Sequence, residues 1–106
     1  MKLLSLARDL KRRKARERNQ QFVVEGVRSV EMLLDSALGV TGILYAPALA
    51  ADSRGLAILA RANQTRIAVL EVSDAEFASA ADTDTPQGVL AISEIPDRFL
   101  PSPPSR

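Results

Sequence analysis

Apolar runs with the composition of strands alternate along this chain with stretches of helical period, and that alternation limits its fold more than any other feature. Residues 22–24, 40–45, 66–72 and 89–95 are short and apolar, with many β-branched side chains, which fit a pleated, buried surface. Between them the period lengthens. Val27, Val30, Leu34, Ala37 and Leu38 share one helical face, Arg28, Glu31 and Asp35 lie elsewhere, and Gly39 marks the end. Residues 51–63, rich in Ala and Leu, predict a second helix despite Gly55. Ser73 and Glu76 have the spacing of a capping box, so a short helix should start there and carry Phe77 inward. Strands joined through helices predict an α/β sandwich around a mostly parallel sheet. Residues 66–72, apolar on both faces apart from Glu71, read as a strand covered on both sides.

A chain of 106 residues suits one domain with one core. Aromatic residues make up only 4%, so that core is aliphatic and platforms for stacking bases are scarce. The sequence has no Cys and no His, which removes disulfides, thiolate and imidazole metal sites, Cys nucleophiles and the commonest general base. No segment approaches the roughly 20 apolar residues of a membrane span, and the start lacks a signal-peptide run. A soluble, cytoplasmic protein with no membrane partner is the expectation.

The net charge of +1 conceals a strong segregation. Residues 1–20 hold eight Lys or Arg against two acids, whereas residues 21–106 hold six against eleven. That is how a polyanion-binding arm on a near-neutral body reads. Leu3, Leu6, Ala7 and Leu10 line one face of an opening helix. Beyond them Lys11, Arg12, Arg13, Lys14, Arg16 and Arg18 point all around a continued helix. A helix that is polar all round is not held by packing, so this half projects into solvent or lies against an anion. Asp9 and Arg13 form one favourable i,i+4 pair, too weak to account for the run. A solubilising surface helix is the plainer alternative.

Glu25 and Gly26 stand where a strand hands over to a helix, the end at which open α/β sheets bind ligands. By themselves they also read as a turn whose acid favours the helix start. Residues 82–88, D-T-D-T-P-Q-G, read by composition as a loop rich in hydroxyl and amide groups. Asp, Thr, Pro and Gly make turns for reasons of their own, and the loop's two acids would repel phosphate. No glycine-rich nucleotide fingerprint is present. Four of the six prolines fall after residue 95, and residues 96–106 read as an extended linker or tail.

Three stretches in order, L-L-S-L-A-R-D-L-K-R-R-K-A-R from residue 3, F-V-V-E-G-V-R-S-V-E-M-L-L from residue 22 and D-T-D-T-P-Q-G-V-L-A from residue 82, together resemble the N-terminal substrate-binding domain of SpoU/TrmH-type RNA 2′-O-ribose methyltransferases. The resemblance runs from about residue 2 to residue 95. It implies an L30e/L7Ae-like three-layer α/β/α sandwich over residues 21–95, with a mixed four-stranded sheet, preceded by a basic helix over residues 1–20. It also implies that the domain captures ribosomal or transfer RNA, here expected to be ribosomal, for a separate C-terminal knotted domain that binds S-adenosylmethionine and transfers its methyl group. The RNA-facing positions it implies are Lys11, Arg12, Arg13, Lys14, Arg16 and Arg18, then Glu25 and Gly26, then Thr85, Pro86, Gln87 and Gly88. Nothing in the sequence matches the catalytic residues or cofactor loops of the knotted domain. We therefore expect no catalytic residue and no cofactor in this chain, which should be inactive alone and monomeric. Alanine at Arg12, Arg13 or Arg16 should each flatten the salt dependence of RNA binding by about one unit. A stand-alone structural RNA-binding protein of the L7Ae type is the alternative.

Overall fold

In a computed structural model, which describes residues 3–81 and 88–95, the chain opens with helices α1 (Leu3–Asp9) and α2 (Arg13–Asn19). Strand β1 (Gln21–Glu25), helix α3 (Val27–Asp35) and strand β2 (Val40–Tyr45) follow. A 3-10 turn (Pro47–Ala51) then leads to α4 (Ser53–Gln64), β3 (Ala68–Glu71), α5 (Asp74–Ala80) and β4 (Val89–Glu94). The single helix expected over residues 1–20 is broken at residues 10–12. The reason is geometric. Residues five apart on one helix face directions about 140° apart, yet Leu10 and Ala15 are both buried in the same core. A break lets each turn inward.

The sheet order is β1-β4-β2-β3. β4 runs antiparallel to both neighbours, and only β2 and β3 pair in parallel. The sheet is therefore mixed, and the mostly parallel arrangement predicted from the alternation is corrected. Tyr45 faces Glu71 of β3 on one side and Val89 of β4 on the other. β3 thus ends, and β4 begins, at the same end of the sheet. The link through α5 makes a round trip instead of a crossover, and it reverses the last strand.

Two apolar layers cover the sheet. Leu6, Ala7, Leu10, Ala15, Phe77 and Ala80 pack on the face carrying Leu44, Leu90 and Ile92. Val27, Val30, Leu33, Ile58 and Ala62 pack on the face carrying Ile43, Val89 and Ala91. The result is an α/β/α sandwich with β4 buried on both sides, as alternation along one strand requires.

The edges differ from the sequence expectation. β1 and β3 are both edge strands, but β1 is half-buried along its length whereas all four residues of β3 are exposed, so β3 is not covered on both faces as its composition predicted. α3 stops about a turn before Gly39: the Ser36 hydroxyl donates to the Leu33 carbonyl and accepts from the Leu38 amide, competing with further helix. The capping box is present, with Ser73 Oγ accepting from the Glu76 amide at 3.1 Å and Glu76 accepting from the Ser73 amide at 2.9 Å. Across α3 and α4, Arg54 pairs with Glu31 and holds its carboxyl below the ordinary carboxylate range, chiefly by hydrogen bonding.

Candidate nucleic-acid interface

α2 is short, so its position depends on what fastens it. Ala15 is the one apolar side chain between residues 11 and 18, and it is buried in the core beneath the helix. Gln20 closes the helix in the left-handed conformation, its amide donating to the Arg16 carbonyl, and β1 begins at the next residue. Arg16 itself turns inward: its Nη1 donates to the carbonyls of Leu10 at 2.9 Å and Lys11 at 3.0 Å. On the α5 side, Arg8 Nε donates to Ser79 Oγ at 2.8 Å and Lys11 Nζ to the Ser79 carbonyl at 3.3 Å.

The remaining four cations gather outside. Arg12, Arg13, Lys14 and Arg18 line a surface concavity of about 400 Å³ with Ala15 among its lining residues. Arg12 pairs with Asp9 at 3.0 Å and Arg13 with Glu17 at 3.0 Å, both on open surface. Exposed pairs of this sort are worth at most about 1 kcal/mol and exchange readily for another anion. Lys14 and Arg18 make no hydrogen bond or ion pair with the described residues. Four positive charges therefore border one hollow, answered among the described residues by two carboxylates.

The structure assembles a second group at the sheet end. Glu25 stands opposite Leu90, and the Gly26 amide donates to the Val89 carbonyl at 2.9 Å. Gly88 accepts from the Ala46 amide at 2.9 Å. Gly26 has φ +95°, a conformation glycine adopts without penalty, and a side chain there would meet nothing within 4 Å. It is the N-cap of α3 and contributes no side-chain cap there. Gly88, at φ +63°, is confined by Ala46. Thr85, Pro86 and Gln87 lie outside the described residues, as does the Pro-rich stretch over residues 96–106.

The six predicted cations of the basic run thus divide by direction: four face the hollow, Lys11 reaches α5, and Arg16 reaches back to the end of α1. Sequence reasoning missed Arg8 and Ser79, which hold α1 on α5, and Ala15, which seats α2. A lone alanine inside a charged run was the available signal for the last.

The chain belongs to the MRM3-like substrate binding domain family, whose model matches residues 5–91. Among solved structures it is similar to an RNA 2′-O ribose methyltransferase, at 25% identity and a TM-score of 0.73 over 93% of this chain and 36% of that one. It is similar in fold to an AdoMet-bound rRNA methyltransferase from Sinorhizobium meliloti, at 23% identity and a TM-score of 0.70 over 89% of this chain and 33% of that one. A third is the SpoU methyltransferase AviRb from Streptomyces viridochromogenes with AdoMet, at 21% identity and a TM-score of 0.68, covering 88% of this chain and 32% of that one. The chain spans about a third of the length of each of these proteins. No curated protein matches it.

Proposed function

We propose that this chain is the RNA-recognition part of an S-adenosylmethionine-dependent rRNA 2′-O-ribose methyltransferase, and that it holds its substrate by the phosphate backbone along α2. The observation that carries this reading is the hollow bordered by Arg12, Arg13, Lys14 and Arg18, in a chain of a substrate-binding family. Arginine forks suit phosphate oxygens, and each neutralised phosphate releases counterions. Glu25, Gly26 and Gly88 would border the same RNA at the sheet end; Thr85, Pro86 and Gln87, which the resemblance also implies, lie outside the described residues.

Methyl transfer belongs, in this reading, to a knotted domain acting with the chain. S-adenosylmethionine carries a positive sulfonium, and a hollow ringed by four cations does not fit it, so no step of the transfer is assigned to these residues. The test is a titration of a ribosomal RNA fragment at several salt concentrations. Affinity should fall steeply with salt, and the Arg12→Ala and Arg13→Ala variants should each flatten the slope by about one unit. Binding that is absent, or insensitive to salt with α2 intact, would remove the proposal.

A further inference from the structure

We infer that Arg16 is a positioning residue: it sets the angle between α1 and α2, and so the shape of the cationic hollow, without itself gripping the RNA backbone. This rests on the reading of α2 as an RNA-binding surface. Composition makes Arg16 one more cation in the run, but its geometry sets it apart. Its side chain is half-buried where Arg12, Arg13, Lys14 and Arg18 are exposed. One guanidinium nitrogen spans the carbonyls of Leu10 and Lys11 at 2.9 and 3.0 Å.

Those carbonyls sit in the break, where the chain has left α1 and has not yet entered α2. The turn is tightened by the Lys11 amide on the Arg8 carbonyl and the Arg12 amide on the Asp9 carbonyl, which leaves the Leu10 and Lys11 oxygens with no backbone donor among the described residues. Carbonyls past a helix end need such a partner, and a cation there also answers the negative end of the helix dipole. Arg16 supplies both from inside α2, one turn after its start. It ties the second helix to the end of the first, and Arg12, Arg13 and Lys14 lie on the segment between those two points.

A phosphate contact and a positioning contact leave different marks on a salt titration. Losing a phosphate contact changes the slope of log affinity against log salt, because fewer counterions are released. Losing a positioning contact lowers affinity at every salt concentration and leaves the slope in place. The experiment measures binding of a ribosomal RNA fragment by wild type, Arg12→Ala and Arg16→Ala across salt, with hydrogen exchange of the α2 amides in the absence of RNA. Arg16→Ala should bind about tenfold more weakly throughout at an unchanged slope, and residues 16–20 should exchange faster. Arg12→Ala should flatten the slope by about one unit and leave α2 exchange as it was.

Flattening by Arg16→Ala equal to that by Arg12→Ala overturns the inference, as does wild-type affinity. Should Arg16→Ala fold too poorly to titrate, Arg16→Lys is read by exchange alone, since lysine keeps the charge but loses the planar reach. Faster exchange in α2 then supports the inference, and wild-type rates overturn it. Failure of the RNA-binding reading looks different: wild type itself would show no salt-sensitive binding, while the exchange measurement would still report on Arg16.

Discussion

Gly55 lies inside α4, where glycine is ordinarily a cost and alanine would stabilise by about 1 kcal/mol. Here the space is already taken. A Cβ would overlap the Leu49 carbonyl oxygen and approach Leu49 Cγ to 2.7 Å, forcing the 3-10 turn away from α4. Gly55→Ala should therefore destabilise the fold by about 1–3 kcal/mol, as overpacking does, read as a lower midpoint in urea. A midpoint at or above that of wild type would show that the turn yields cheaply. The same contrast between type and place governs the basic run. The count of cations was legible in the sequence, and so was their suitability for phosphate. Which of them point outward was not, because direction depends on Leu10 and Ala15 both reaching one core, and that core is built largely by residues far along the chain.

At the scale of elements, four strands and the helices between them were readable from period alone, and the capping box that starts α5 was readable from two residues. Sheet order was not, because period is blind to whether a connection crosses the sheet or returns. Residues 66–72 and 89–95 look alike in composition, yet β3 is an exposed edge and β4 the buried centre. Mutations should separate them. Ile92→Ala, at a fully buried position, should cost about 2–4 kcal/mol. Leu70→Ala, where 38% of the residue is exposed, should cost under about 1 kcal/mol. Chemical denaturation of the two variants decides the matter, and similar losses would mean that β3 is covered in solution. The resemblance to RNA methyltransferases implied a mixed sheet, and the strand pairing agrees; alternation by itself predicted a mostly parallel one.

For the whole molecule, net charge is a poor guide to behaviour, because the positive charge is gathered at one end of the chain and the negative charge is spread over the rest. Position should outweigh total. Replacing Lys14 and Arg18 by Gln, or Arg28 and Arg66 by Gln, gives the same net charge of −1. Only the first pair should markedly reduce retention on heparin at pH 7, since it thins the clustered field; equal losses would show that the cluster has no special role. The place of β4 has a consequence of another kind. It is the last strand of the described chain and lies between β1 and β2, bonded to partners 44 to 73 residues earlier. During synthesis β1 and the β2–β3 pair must wait with facing edges unfilled until residues 89–94 emerge. The sheet then closes on both sides in one late insertion, a non-local step of the slow kind.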